Sequence, residues 1–285
     1  MTQGILIYAH NSRSVDYALM SVISGGLAKK HLNVPVSLVT DKFTLIWMKD
    51  SGIYDTANDI FEHIIIDDKP QTNNSRRLYD GVDNTVVPFL NFNRSSAWEL
   101  TPYERTLLID SDFLIFSNRL SEYWSVDCDL LIGESIKDIY DNNRTGYHDK
   151  YISDVGIKLY WATTVMFTKN ERTKIFFDLV THIKNNYQYY ADTYRFDSKQ
   201  FRNDIAFSIA KHILNGFEQN NTEDLPPVLT LLDKDVLYSV DKKLTLLVSP
   251  KLDSNFCAAA IDGIDIHVMN KQSIIRNKDA LLELI

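Results

Sequence analysis

Four short apolar runs, residues 4–9, Val36–Thr40, 63–66 and 106–109, each stop on a polar or acidic residue. After the first comes a polar turn, His10-Asn11-Ser12-Arg13. Val15, Ala18, Leu19, Val22, Ile23 and Leu27 then follow at helical spacing. Uninterrupted runs of this length read as strands buried on both faces, and a helix between two of them makes a crossover. The chain is thereby constrained to an α/β architecture, a central and mostly parallel sheet flanked by helices. Sheets of this kind bind ligands outside the carboxyl ends of their strands. Asn11, Asp41 and Asp67 stand at those ends and are candidate site residues.

Ser12 or Ser14 is the expected cap of the first helix, and Gly25-Gly26 is expected to weaken its end. Residues 69–93 are polar and broken and read as a surface excursion. A short helix is expected over 95–100, with strands over Leu130–Gly133 and 159–167. Residues 171–186 read as a helix with Ile175, Phe176, Leu179, Val180 and Ile183 on one face. Residues 187–201 hold Tyr187, Tyr189, Tyr190, Tyr194, Phe196 and Phe201 without a period, which predicts a loop or lid. Asn203–Leu214 is a helix. Past Pro226-Pro227 the pattern fades until a strand over 264–268 and a closing helix over 277–284. No repeat or low-complexity linker divides the 285 residues, so they read as one domain.

Composition narrows the function classes. Lys+Arg number 30 and Asp+Glu 38, so the net charge is −8, and 45% of the chain is hydrophobic. That excludes a disordered chain. Two cysteines, Cys128 and Cys257, cannot form a disulfide framework and fit a reducing compartment. The acidic balance weighs against a surface built mainly to hold a nucleic-acid backbone. The first residues carry no basic-then-apolar export pattern, and no apolar stretch approaches the ~18 residues of a membrane span. A cytoplasmic protein without a membrane partner is the expectation.

Asp-x-Asp occurs three times, at Asp110/Asp112, Asp127/Asp129 and Asp233/Asp235. Only the first follows a strongly apolar strand, Thr106-Leu107-Leu108-Ile109, and precedes a further apolar run, residues 113–116. Two carboxylates at the rim of a buried sheet repel unless a cation joins them. Mg²⁺ and Mn²⁺ take carboxylate oxygens and leave positions open for phosphate oxygens. The bland reading is a solvated strand-end turn. Far along the chain His267 closes the last strand and Lys271 follows four residues later; imidazole can ligate Mn²⁺, and a lysine can hold a diphosphate.

The segment Tyr103-Glu104-Arg105-Thr106-Leu107-Leu108-Ile109-Asp110-Ser111-Asp112-Phe113-Leu114-Ile115 resembles the strand and D-x-D motif of GT-A fold, Rossmann-like glycosyltransferases, those of family 8 above all. Four further patches and the single residue Arg94 fit in order, so the likeness spans roughly residues 4–271. Gly4-Ile5-Leu6-Ile7-Tyr8-Ala9 resembles the nucleotide-binding strand, and Arg94 the basic residue that reaches the donor. Trp161-Ala162-Thr163 stands where the family has a small Asn-Ala-Gly turn at the donor sugar. Asn203-Asp204 stands where it has Asp-Gln, and His267-x3-Lys271 resembles the terminal His…Lys element without its glycine. The chain is also similar to uncharacterised GT-A proteins of tailed phages.

The resemblance implies a retaining, metal-dependent glycosyltransferase using a nucleotide-sugar, a UDP-sugar first. Asp110, Asp112 and His267 would hold Mn²⁺ or Mg²⁺. Tyr8, Ala9, Asn11, Asp41, Arg94, Asp110, Ser111, Trp161, Thr163 and Lys271 would bind the donor, and Asp204 with Asn203 would stand at the reacting sugar. The nucleotide-binding half would run over about 1–120 and the acceptor half over about 121–285. The acceptor hydroxyl would belong to a glycan or to a hydroxymethylated base in phage DNA, in the host cytoplasm. Lys69, Arg76, Arg77, Arg94 and Arg105 form a modest basic zone that, with the aromatic 187–201 segment, suits a flipped base or single strand. Two rivals are a sugar nucleotidyltransferase and a non-catalytic nucleotide-sugar-binding module. The first should show a glycine-rich turn after the first strand, and here that turn is His10-Asn11-Ser12-Arg13.

Overall fold

The computed structural model describes all residues except 69–73, 80–83, 92, 140–149, 219–223, 233 and 249–255. The chain opens with β1 (Gln3–Tyr8), α1 (Tyr17–Leu32), β2 (Val36–Thr40), α2 (Lys42–Asp50), α3 (Tyr54–Ile60) and β3 (Phe61–Ile66). A hairpin of β4 (Ser75–Tyr79) and β5 (Asn84–Pro88) leads through a short α4 (Ala97–Leu100) to β6 (Arg105–Ile109). Short strands follow: β7 (Phe113–Leu114), β8 (Leu130–Gly133), β9 (Ile136–Lys137), β10 (Tyr151–Ile152) and β11 (Ile157–Lys158). After them come the long β12 (Trp161–Thr168), α5 (Glu171–Asn185), α6 (Tyr187–Tyr194) and α7 (Asn203–Leu214). The last part holds β13 (Val228–Leu231), β14 (Val236–Val240), β15 (Leu244–Val248), β16 (Cys257–Ile261), β17 (Ile266–Val268), α8 (Lys271–Arg276) and α9 (Lys278–Leu282).

The central sheet has the order β3-β2-β1-β6-β12-β8. Strands β3, β2, β1 and β6 are parallel neighbours, and β12 runs antiparallel to both β6 and β8. The expected α/β class, with a mostly parallel sheet flanked by helices, is the observed one. Alternation along β1 divides the core. Ile5 and Ile7 face α1, where Ala18, Val22 and Ile23 are buried. Leu6 and Tyr8 face the other way, toward Phe176 and Phe177 of α5 and Phe207 of α7. These rings meet edge to face, Phe176 to Phe207 at 5.5 Å between centroids.

Several local expectations are corrected by packing. Asp16, not Ser12 or Ser14, caps α1: Leu19 N donates to its Oδ1 at 3.0 Å. Gly25-Gly26 does not weaken this helix, which runs on to Leu32. A Cβ at Gly25 would lie 2.7 Å from the Phe61 ring, and one at Gly26 2.7 Å from Ile285, so both glycines permit close packing. The excursion over 69–93 contains the β4–β5 hairpin. Residues 187–194 are the helix α6, with Tyr187, Tyr190 and Ala191 buried at i, i+3 and i+4. Ile175 is 45% exposed, and Phe177 takes its place in the core. The stretch after Pro227 holds β13 and the antiparallel sheet β14-β15-β16. The closing helix is the short α9, and α8 precedes it as a separate helix. Asp233 of the third Asp-x-Asp lies outside the described residues.

A second sheet, of order β7-β17-β13-β9, positions the site. Its β17 runs antiparallel to β7, with His267 opposite Phe113. A buried ion pair braces its far flank, Lys211 of α7 against Asp224. Asp224 Oδ1 also accepts from Ile132 N at 3.3 Å. Both charges are 5% exposed or less, so removing one partner leaves the other unpaired inside. Asp224→Asn is expected to lower unfolding free energy by about 3–5 kcal/mol, read by urea denaturation; a midpoint equal to wild type would contradict this. Among the described residues no helix is long and apolar enough to cross a membrane.

Candidate active site

Strand β6 is buried along its whole length and ends at Asp110. There the chain turns: Phe113 N donates to Asp110 O, and Asp110 N donates to Thr163 O of β12, both at 3.1 Å. The turn aims Asp110 and Asp112 to the same side. Val268 N donates to Asp112 O at 2.9 Å, which brings His267 beside the motif from 155 residues away in sequence. Ligand atoms of Asp110, Asp112 and His267 all lie within 4.8 Å of one another. This is the one such group of His, Cys, Asp and Glu among the described residues.

Two cations complete the cluster. Arg94 Nη1 donates to Asp110 Oδ1 at 2.9 Å, and Lys271 Nζ donates to Asp112 Oδ2. His267 Nε2 is 3.4 Å from Asp112 Oδ1, and its Nδ1 is 3.4 Å from Thr163 Oγ1. Lys271 is 1% exposed and Arg94 3%, so both charges are committed to this site. The carboxyls respond in opposite directions. Burial raises Asp110, helped by the neighbouring Asp112 and opposed by Arg94. Burial works against ionisation of Asp112 as well, but Lys271 and His267 together hold it well below the usual carboxylate range. Two carboxylates and an imidazole are a donor set that suits Mn²⁺ or Mg²⁺. Thr163 beside Nδ1 is the second partner that fixes a ligating imidazole.

The cluster lies in the wall of a cleft of about 380 Å³. Of the expected site residues, Tyr8, Arg94, Asp110, Ser111, Asp112, Trp161, Thr163, Asn203, Asp204 and His267 line it. Tyr8 is buried; its hydroxyl shares a 3.1 Å hydrogen bond with Ser96 Oγ, and burial pushes the phenol up. Arg202 donates to Asp204 Oδ2 from Nε at 3.2 Å and from Nη2 at 2.5 Å. Burial raises the Asp204 carboxyl, but Arg202's charge and hydrogen bond outweigh it and leave Asp204 below its ordinary value.

Three expected donor residues are placed elsewhere. Asn11 Oδ1 accepts from Ala18 N at 2.6 Å and its Nδ2 donates to Asp16, so its amide is used in capping α1. Asp41 caps α2 through Thr44 N at 2.7 Å. Ala9 is buried, its carbonyl accepting from Thr40 Oγ1 at 2.7 Å. Of the expected basic zone, Arg76 and Arg94 line the cleft and Arg105 does not. Arg94 faces Asp110, while Arg105, at the other end of β6, donates to Cys128 O, Thr168 Oγ1, Tyr123 O and Val126 O. Lys69 and the Arg77 side chain lie outside the described residues.

The sequence reading missed part of the cleft. Ser75 and Phe89 come from the β4–β5 hairpin and its exit, and Asn91 follows. Tyr17, Gln200, Arg202 and Met269 also line it, beside Arg76 of the expected basic zone and Phe201 of the aromatic segment. Asn91 Oδ1 accepts from His10 N at 2.7 Å, whereas its Nδ2 is buried without a partner. Asn203 Oδ1 and Arg94 Nε and Nη2 are likewise buried and unpartnered. Buried polar atoms are almost always satisfied, so these are positions where a polar ligand or water completes the wall. Nothing in the local pattern around Asn91 marks it; Arg202 is next to the Asn203-Asp204 pair and could have been read as its counter-charge.

No family model matches this chain, and no curated protein does. Among solved structures it is similar to the galactosyltransferase LgtC in complex with donor and acceptor sugar analogs. The identity is 15% over 72% of this chain and 70% of that one, with a TM-score of 0.44. It is similar to mouse xyloside xylosyltransferase 1 in its apo form, at 10% identity over 76% and 83% of the two chains and a TM-score of 0.44. It is similar to S. aureus TarS 1–349, at 15% identity over 74% and 55% and a TM-score of 0.36. Likeness this distant assigns no function, which leaves that to the side chains of the cleft.

Proposed function

We propose that the protein is a metal-dependent, GT-A-like glycosyltransferase acting on a nucleotide-sugar. One domain would hold the donor with residues of about 1–120 and the acceptor with about 121–285. One observation carries this reading. Two carboxylates and an imidazole converge at the end of a central strand with a buried lysine and a buried arginine beside them. A leaving diphosphate needs that combination: anionic ligands for a divalent cation and fixed positive charge beside the phosphates.

Asp110, Asp112 and His267 would hold Mn²⁺ or Mg²⁺, with Thr163 orienting the imidazole. The ion, when bound, neutralises charge that develops on the diphosphate. Lys271 and Arg94 add positive charge to the same region. The acceptor hydroxyl oxygen bonds to the anomeric carbon as the carbon–oxygen bond to the diphosphate breaks. The bonding pair stays on the diphosphate oxygen, and the hydroxyl proton passes to it. Asp204 supports this step by stabilising positive charge at the anomeric carbon. Its carboxyl sits below the ordinary value, which makes it a poor base, and no carboxylate other than Asp110, Asp112 and Asp204 lines the cleft among the described residues. A poor base at the reacting sugar supports transfer with retention rather than inversion.

Asp204→Asn is expected to lower kcat of donor hydrolysis by about 10²-fold with nucleotide affinity unchanged. In wild type Arg202 keeps Asp204 ionised to lower pH than an ordinary carboxyl. Without Arg202, only a backbone hydrogen bond and the more distant Arg94 oppose burial of Asp204, so its pKa rises and the acid limb moves to higher pH in Arg202→Met. A pH–rate profile of kcat checks this. An acid limb that stays in place would remove Asp204 from the proposed role.

A further inference from the structure

A second cavity, of about 600 Å³, adjoins the first, and Gln200 and Arg202 line both. Nothing in the glycosyl-transfer chemistry above uses it. Its floor is apolar, made by Ile152, Leu159 and Ile205, all buried. Tyr151 and Phe196 add aromatic rings. The walls are held in place. Arg195 takes a left-handed conformation (φ 56°) that ends α6 and turns residues 196–202 along the cavity. Ser153 Oγ donates to Tyr194 O at 2.5 Å and ties β10 to α6. Phe196 is braced by Tyr187 at 5.2 Å between ring centroids.

The rim carries charge of both signs. Arg195 faces Asp154 at 3.5 Å, Lys199 faces Asp197 at 4.0 Å, and Arg202 faces Asp204 at 2.5 Å. A groove for a phosphodiester strand needs a surplus of cations along its length. Among the described residues every lining cation has a carboxylate opposite it. Paired donors and acceptors over an aromatic and apolar floor suit a different ligand. A pyranose ring has an apolar CH face to lie on aromatic rings, and hydroxyls that both donate and accept. The cavity volume is in the range of small-molecule sites.

We propose that this second cavity seats the acceptor, and that the acceptor presents a neutral sugar unit. The inference rests on the glycosyl-transfer reading of the first cleft and deepens it. Arg202 stands at the junction, gripping Asp204 while its guanidinium lies 5.9 Å over the Trp161 ring. A sugar seated against Phe196 and Tyr151 would therefore reach the donor past Arg202 and Gln200.

The test is saturation-transfer difference NMR on the full chain with a panel of methyl α- and β-pyranosides, with and without UDP and Mn²⁺. Single- and double-stranded 20-mer oligonucleotides form a second arm. At least one pyranoside is expected to receive saturation, and Phe196→Ala is expected to weaken it about tenfold. Lys199→Ala, an exposed change that spares the core, is the folding-safe companion and is expected to weaken it to a smaller degree. In both variants the titration with UDP and Mn²⁺ stays as in wild type. Pyranosides that give no signal, or a signal untouched by Phe196→Ala, overturn the proposal. So does salt-sensitive oligonucleotide binding that displaces the sugar. If pyranosides bind through Phe196 but no nucleoside diphosphate binds anywhere, the sugar site stands and the donor reading falls.

Discussion

Replacing Asp112 by Asn is expected to reduce sugar transfer and donor hydrolysis by about 10³-fold or more. The reason is concentration of roles in one side chain. Oδ2 accepts from Lys271 and Oδ1 faces His267 Nε2 at 3.4 Å, so an amide here removes the anion that both groups are arranged around. Loss of a carboxylate ligand to a divalent ion forfeits several kcal/mol of charge stabilisation on the leaving diphosphate, and each ~1.4 kcal/mol is a factor of ten. The turn itself survives, because Val268 N bonds to the main-chain carbonyl of Asp112 and not to its side chain. Removing one partner of a buried pair also costs stability, about 3–5 kcal/mol. Asp110→Asn is therefore the second variant. Its amide oxygen can still accept from the buried Arg94, which limits the loss of stability, and the same collapse of activity is expected. Rates are measured alongside thermal melts; a folded Asp110→Asn or Asp112→Asn protein with wild-type turnover would sink the metal site.

Lys271→Met is expected to move two affinities in opposite directions. Lys271 occupies Asp112 Oδ2, one of the oxygens a metal would use, and it is almost completely buried there. A divalent ion arriving alone must displace this contact. A hydrogen bond between charged groups contributes about 1.5–3 kcal/mol, so its removal should tighten binding of Mn²⁺ alone by about ten- to a hundredfold. A nucleoside diphosphate offers Lys271 another anion. In the Met variant that partner is lost, and affinity for UDP with Mn²⁺ present should fall by about tenfold or more. Lys271 on this account makes the site prefer the metal and the diphosphate together over the metal alone. Calorimetric titration of each ligand decides it. If Mn²⁺ alone binds the variant no more tightly than wild type, Lys271 is a structural counter-ion only.

Context made Asp110 and Asp112 legible. Three Asp-x-Asp pairs look alike, and the apolar strand ahead of Asp110 separates it from the others, because only a buried strand delivers side chains to a sheet rim. His267 could not be linked to that pair by spacing. Its place depends on β17 lying against β7, a pairing of segments more than 150 residues apart. Asn11 and Asp41 show how the strand-end rule misleads. Asn and Asp serve ligands and helix N-caps with the same acceptor oxygens, and in both cases the cap took the side chain. The helix α6 was hidden because Tyr189 places a further aromatic off its buried face, blurring the period. Of the expected basic zone, Arg105 alone is shown to leave the site: it starts β6 and is bonded into loop carbonyls, while Arg94 meets Asp110 at the other end of the strand.

The most direct test of the central claim is calorimetry of the wild-type protein with UDP, GDP, CDP and ADP, each with and without Mn²⁺. The Asp110/Asp112/His267 cluster with Lys271 and Arg94 predicts that at least one of these binds with Mn²⁺, and binds about tenfold or more weakly once the metal is chelated. A protein that binds none of them, or binds one with the same affinity whether or not Mn²⁺ is present, would contradict it.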